Sequence, residues 1–400
     1  VLDTLDDVPW AELTHAYGSA ADVPDTIRGL TSPDGEVRKS SRLRLWSSIF
    51  HQGTRWEASS YAVPFLVELA ADASVADRQE ILDLLVHLAV GYQDPWLRHG
   101  FQREEVRCEQ EALDSEGNEW KVDVVNVYDA VVAHAATLVA LAENDPDAGV
   151  RRAAVYAVAF LPDASELSLP ALARVIARER DKVDLANAVL AQGLLAGGRD
   201  HQDPPFDGSP LVTLASDRRP LVRYAGGSAV ARVTGAAGSV DPTAIDALLG
   251  VLAEHPDALA GSGLAWNDDD LTGLGWIVIE ATVPVFGIEL VERAATTLRS
   301  LDGSRAVTLT RVLLSRLFPH GASPPPQQAS RLTPEQRVLV ETLASEPRIW
   351  TTRGMQFGNF SVMLTGHGLP GDAGSMQRYL GGEILEECLP AGMRRQRTSG

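Results

Sequence analysis

Three stretches of this chain are versions of one pattern, and that self-similarity constrains the fold more than any other feature. Ser32-Pro33-Asp34-Gly35-Glu36-Val37-Arg38 and Asp145-Pro146-Asp147-Ala148-Gly149-Val150-Arg151 share a capping residue, a proline, an aspartate, two spacers and Val-Arg. Ser216-Asp217-Arg218-Arg219-Pro220-Leu221-Val222-Arg223 is a looser third copy. A unit that recurs every few tens of residues points to an array of one supersecondary element, each copy burying its apolar face against the next. Each copy reads as a helix start. Ser32 or Asp145 is placed as the N-cap, accepting from free backbone N–H groups. Pro33 or Pro146 then takes the first helical position, where its missing donor costs nothing.

Behind Val150 the apolar residues fall at Ala153, Ala154, Ala157, Val158 and Leu161, which is one helical stripe. The same template fits Val222 with Ala225, Gly226, Ala229, Val230 and Val233, and Arg78 with Ile81, Leu82, Leu85, Val86 and Ala89. It fits Val183 with Ala186, Leu190, Ala191 and Leu194, although Asn187 breaks the stripe. The first copy is the poorest, because Ser40, Arg44 and Ser48 occupy stripe positions. The anchors 78, 150, 183 and 222 are 72, 33 and 39 residues apart, so the first gap holds two units. Another apolar segment precedes each anchor helix, as in Val63-Pro64-Phe65-Leu66-Val67-Glu68-Leu69 and Leu169-Pro170-Ala171-Leu172-Ala173-Arg174-Val175-Ile176.

An apolar Pro-x-Leu helix, then Asp-Pro-Asp, then Val-Arg-x-x-Ala-Ala in a second helix resembles the HEAT-like repeat family, in the short bacterial form also seen in phycobilisome lyases. The resemblance is good over 60–235 and weaker on either side. It implies an all-α fold, a right-handed α-α superhelix whose second helices line a concave face. It does not imply lyase activity, because one scaffold serves unrelated functions.

Composition agrees with such an array. The chain has 400 residues, long for one compact core, but an array grows by adding units. With aromatics at only 6%, the apolar content is largely Ala, Leu and Val, which allow close helix packing. The formal net charge is −19. A duplex-DNA binder needs Lys and Arg to displace counterions, so this balance argues against nucleic acid and makes a basic partner the natural complement. Cys108 and Cys388 are the only cysteines, which suggests neither a disulfide framework nor a paired-cysteine zinc site and fits a reducing cytoplasm. The acidic start, Val1-Leu2-Asp3-Thr4-Leu5-Asp6-Asp7, does not read as a signal peptide. No apolar run approaches a membrane span. The nine histidines lack zincin-like spacing, and no phosphate-cradling loop appears, so neither a metal nor a cofactor is expected.

Four stretches interrupt the pattern: a charged insertion at 91–126, then 197–210, 255–270 and 318–330. The chain therefore divides into a solenoid over 1–317 carrying the insertion as a long loop, a Pro-rich linker over 318–332, a helical C-terminal cap over 333–389 and a disordered tail over 390–400. Thr333-Pro334-Glu335-Gln336 reads as a capping box opening the cap. The tail's Met393-Arg394-Arg395-Gln396-Arg397 is basic.

Function is sought where the repeat fails. In His51-Gln52-Gly53-Thr54-Arg55-Trp56-Glu57, Gly53 is placed as a left-handed helix end and Thr54 to Glu57 as a capping box. That leaves His51, Arg55 and Trp56 to face a ligand. The insertion offers Tyr92, Trp96, Arg98, His99 and Phe101, either as a recognition surface or lid, or as aromatics tucked under the helices. Trp266 heads Trp266-Asn267-Asp268-Asp269-Asp270, whose carboxylates suit the N-terminus of a helix at Leu271 better than a cation. His87 and His134 fall inside expected helices. The leading expectation is a cytoplasmic binding scaffold that holds a protein or peptide on its concave face and insertion. The alternative is an enzyme, cyclase- or lyase-like on a small hydrophobic substrate, with His51, Arg55, Asp129 and His134 as acid–base groups. A third reading borrows from HEAT-like DNA glycosylases, and the charge balance places it last.

Overall fold

The computed structural model describes residues 2–115, 122–198, 206–236, 238, 240–319, 328–352 and 354–384. The Pro-rich run 324–326, the basic tail, residues 116–121 of the insertion and residues 199–205 lie outside the described residues. The described chain is predominantly helical. Its strands are three antiparallel two-residue hairpins, Thr14–His15 with Gly18–Ser19, Phe50–His51 with Thr54–Arg55, and Thr351–Thr352 with Met355–Gln356.

The residues form two compact units, 1–244 with 263–265, and 245–262 with 266–400. In the first, the anchor helices Arg78–Val90, Ala148–Val158, Lys182–Gly197 and Pro220–Ala236 pack in series, each against the next. Their stripes are the core: Ile81, Leu82, Leu85, Ala154, Ala157, Val158, Leu190, Ala191, Ala225 and Ala229 are all buried. Asn187 is buried on the stripe it seemed to break, where its side-chain amide donates to the Arg152 carbonyl at 3.0 Å. The partner helices Glu57–Ala71 and Ser165–Arg178 carry Pro64 and Pro170 in their interiors. In the second unit the helices include Leu271–Thr282, Ile288–Ser300, Gly303–Leu317 and Pro334–Ser345.

The repeat's helix starts correct the sequence reading by two residues. The N-caps are Asp34 and Asp147, whose carboxylates accept from Glu36 N at 2.9 Å and Gly149 N at 2.7 Å. Ser32 and Asp145 are not caps, and Pro33 and Pro146 stand before the helix rather than at its first position. The reason is the arginine of Val-Arg. Arg38 Nη1 donates to the Ser32 and Pro33 carbonyls at 2.9 and 3.2 Å, and Arg151 Nη1 does the same to Asp145 and Pro146 at 2.9 and 3.2 Å. The Asp-Pro turn is thus a separate element tied down by its own helix. Asp145 is freed for a longer contact, a buried bidentate pair with Arg78 at 2.6 and 3.0 Å.

The expected box at Thr54–Glu57 is also replaced. Gln52 and Gly53 both have positive φ (53° and 88°) and form the turn of the Phe50–His51/Thr54–Arg55 hairpin. The helix Glu57–Ala71 starts after Trp56, whose N–H donates to the Ser59 hydroxyl at 2.9 Å. The insertion is not a plain loop, since Arg103–Ser115 is a helix within it. In the second unit the Thr333–Gln336 capping box is present, with both reciprocal hydrogen bonds (3.1 and 3.2 Å). Asp270 caps Leu271–Thr282, accepting from Gly273 N at 2.9 Å.

Candidate functional site

A cleft of about 650 Å³ opens between the Thr14–Ser19 hairpin and the helix Gly35–Ser48, lined among others by His15, Tyr17, Asp22, Leu43, Arg44 and Ser47. Its polar lining forms one hydrogen-bonded chain. The Tyr17 backbone N–H donates to His15 Nδ1 at 3.1 Å, which leaves the proton on Nε2 to be donated to Asp22 Oδ1 at 2.8 Å. Asp22 Oδ2 accepts from Arg44 Nε at 3.0 Å and lies 2.8 Å from Arg44 Nη2. Burial pushes the Asp22 carboxyl up, but the hydrogen bonds from His15 and Arg44 outweigh it and hold the group below its ordinary range. His15 is buried with both ring nitrogens engaged, so it presents no lone pair to a substrate proton. Tyr17 is 66% exposed and Leu43 61% exposed, an aromatic and an aliphatic side chain beside the equally exposed Arg44.

The second hairpin extends this surface. His51 shares a face with Thr54, and Phe50 with Arg55. His51 Nδ1 lies 3.1 Å from the Ser47 carbonyl and 3.4 Å from the Tyr17 hydroxyl, and its ring stands 6.3 Å from Trp56. His51 therefore stands beside the cleft against Tyr17, while Trp56 behind it is buried. The indole Nε1 of Trp56 is buried with no acceptor among the described residues. On the other face, Phe50 meets Trp46, His87 and Tyr92 edge-on at 5.2, 5.3 and 5.8 Å. Arg55 is only 6% exposed, and its Nη1 donates to the Gly53 carbonyl at 2.8 Å. Burial lowers its guanidinium to about 10, partly offset by the charge of Glu109.

The insertion's aromatics are tucked inward. Trp96 Nε1 donates to the Val90 carbonyl at 2.8 Å, Trp96 meets Phe101 at 4.9 Å, and Phe101 stacks on Tyr128 at 4.5 Å. The Tyr128 hydroxyl donates to Asp163 at 2.7 Å, and burial with that carboxylate pushes the phenol up. Tyr92, Arg98 and His99 remain exposed. The four acid–base candidates are not joined. Asp129 is paired with Arg103 at 2.8 Å. His134 stands at the junction of Val124–Ala133 and Ala135–Asn144 rather than inside a helix, and burial lowers its imidazole. Among the described residues no hydrogen bond or ion pair links either of them to His51 or Arg55. Trp266 belongs to the second unit and is buried.

His15, Tyr17, Asp22, Leu43 and Arg44 were not singled out from sequence. The only signals available were Leu43 standing off the stripe, the charged Arg44 occupying a stripe position, and a Tyr-Gly turn in a polar N-terminal stretch. No single helix among the described residues is long and apolar enough to cross a membrane, and the one pair that passes together, Val124–Ala133 with Ala135–Asn144, is bent by 52°. Compared with protein-family models and with curated proteins, the chain matches none.

Proposed function

We propose that this protein is a binding scaffold, a HEAT-like solenoid that holds a protein or peptide partner, with the cleft above His15 as its principal contact. The observation that carries this reading is that the ionisable groups lining the cleft are spent on one another, while Tyr17 and Leu43 beside them are exposed apolar and aromatic surface. A catalytic site needs a free acid or base aimed at the substrate, while a recognition site needs a rigid polar base and protruding anchors. The seriated anchor helices and the duplicated Arg38 and Arg151 clasps support the solenoid reading. The repeat arginines Arg38, Arg42, Arg151 and Arg152 stand on Asp77 and Asp184, which weakens a nucleic-acid role and leaves the net charge of −19 to favour a basic partner.

The test is capture from the native cell with the full chain and with Tyr17→Ala and Leu43→Asp variants. Both side chains are exposed, so folding is expected to be unchanged. A partner retained by the native chain and lost from both variants supports the reading. A partner set indifferent to both substitutions, or turnover of a small molecule by the purified protein, overturns it.

A further inference from the structure

Arg55 is the one element of the second hairpin that its surroundings do not explain. Its side chain is 94% buried (6% exposed), yet the only acceptor that the described residues offer it is the Gly53 carbonyl, at 2.8 Å from Nη1. Nε is buried with no hydrogen-bond partner among the described residues. No carboxylate of the described residues lies within ion-pair distance of it. A buried guanidinium without a counter-charge is costly, and such groups are normally paired.

Two structural explanations fall short. The C-terminal end of Arg78–Val90 lies beside it, because a Cβ built on Gly91 would stand 2.5 Å from Arg55 Nη1. A helix C-terminus supplies about half a negative charge, spread over carbonyls, and not a paired acceptor. Here Arg55 makes no hydrogen bond to those carbonyls. Glu109 contributes a favourable field but is exposed and makes no ion pair with Arg55. Gln93 Nε2, two residues along the chain from Gly91, is also buried with no hydrogen-bond partner among the described residues. Between Gly91 and Gln93, Tyr92 packs against Gly53 and is 55% exposed, so the segment reaches solvent at this point.

We infer that the junction of the Phe50–Arg55 hairpin with Gly91 is a binding site for an oxyanion, with the buried Arg55 guanidinium as its anchor. The pattern is one of donors lacking acceptors, and a ligand that offers only acceptors, a carboxylate or a phosphate, completes it. Arginine's planar fork suits either group in a two-point contact. The site lies on the Phe50 face of the hairpin, away from His51 and the cleft, so it stands whether or not the cleft holds a partner.

The full-length protein, labelled with nitrogen-15, is titrated with sodium acetate and separately with inorganic phosphate at constant ionic strength, while the arginine Nε–H resonances are followed. Arg55→Lys identifies the Arg55 signal by its loss. A saturable shift of that signal, beyond the chloride control, supports the site, and the anion that saturates it at the lower concentration tells carboxylate from phosphate. The absence of a saturable shift with both anions overturns it. Should Arg55→Lys fail to fold, the native protein's melting temperature decides. A rise of about 2 °C or more with one anion at constant ionic strength is expected from binding to the folded state alone, and a flat melting temperature overturns the proposal. Glu109→Gln closes the remaining route, since a shift that appears only in that variant makes Glu109 the occupant and likewise overturns it.

Discussion

Arg232 and Arg98 are 134 residues apart in sequence, and Arg232 Nη1 donates to the Arg98 carbonyl at 2.8 Å. Its Nη2 donates to the neighbouring Leu97 carbonyl. A guanidinium from the last anchor helix of the first unit thus clamps the backbone of the insertion at its first turn. Burial lowers Arg232 to about 10. The group stays charged at neutral pH, and two charge-assisted hydrogen bonds offset its desolvation.

Arg232→Met removes both donors and strands two carbonyls. The expected loss is about 1–3 kcal/mol, measured by urea denaturation. Faster amide exchange is expected at Leu97 and Gly100, whose N–H groups close the same turn on Gln93 and Trp96 at 3.2 and 2.8 Å. Unchanged exchange there would show that the Phe101–Tyr128 stack alone holds the insertion.

The buried Arg78–Asp145 pair links the Arg78–Val90 helix to the turn before Ala148–Val158. Removing one partner strands the other charge, so Arg78→Met or Asp145→Asn is expected to cost about 3–5 kcal/mol, and the double replacement by apolar residues less than either. Burial pushes Asp145 up, but the hydrogen bonds from Arg78 and the Asp147 amide outweigh it and hold the carboxyl below its ordinary 3.8. A carboxylate depressed in the folded state stabilises it fully above pH 3.8 and loses that contribution as pH falls through the folded-state value. Stability is therefore expected to fall in acid, and Asp145→Asn to flatten that limb in a melting series from pH 6 down to pH 3.

Gly91 has φ +73°, and the Arg55 guanidinium lies where its Cβ would be. Gly91→Ala meets both strain and collision, and is expected to cost about 2 kcal/mol or more by chemical denaturation. The same variant is expected to displace Arg55, visible as a changed Arg55 Nε resonance.

The helix starts provide a direct comparison. Asp34→Ala deletes the N-cap of Gly35–Ser48 and is expected to cost about 1 kcal/mol. Ser32→Ala removes only an acceptor for the exposed Asp34 N–H, at 3.1 Å, and is expected to cost a few tenths of that. Equal losses at the two positions would return the cap to Ser32.

The stripes behind Arg78, Val150, Val183 and Val222 were legible because helix burial has a local period. The Thr333 capping box was legible because both partners sit within one turn. The caps were misplaced by two residues because Ser32 and Asp34, like Asp145 and Asp147, are all good N-cap types, and local preference does not rank them. The long-range pair of Asp145 with Arg78 and the clasps of Arg38 and Arg151 decide between them. The cleft was missed for a similar reason. His15, Asp22 and Arg44 are scattered over thirty positions, and nothing in their spacing marks them as one hydrogen-bonded chain.

By itself the sequence determined the helical character and the core stripes of the anchor helices, since these follow from periodicity and from capping chemistry within a turn or two. The tertiary structure decided what the polar residues do. It turned Asp145 from a cap into the partner of a buried arginine, folded Trp96 and Phe101 of the insertion inward, and left Arg55 buried with a single carbonyl acceptor among the described residues. Apolar residues need only to be buried, which a local pattern predicts. A buried polar group needs a particular partner, and the fold alone determines which groups meet.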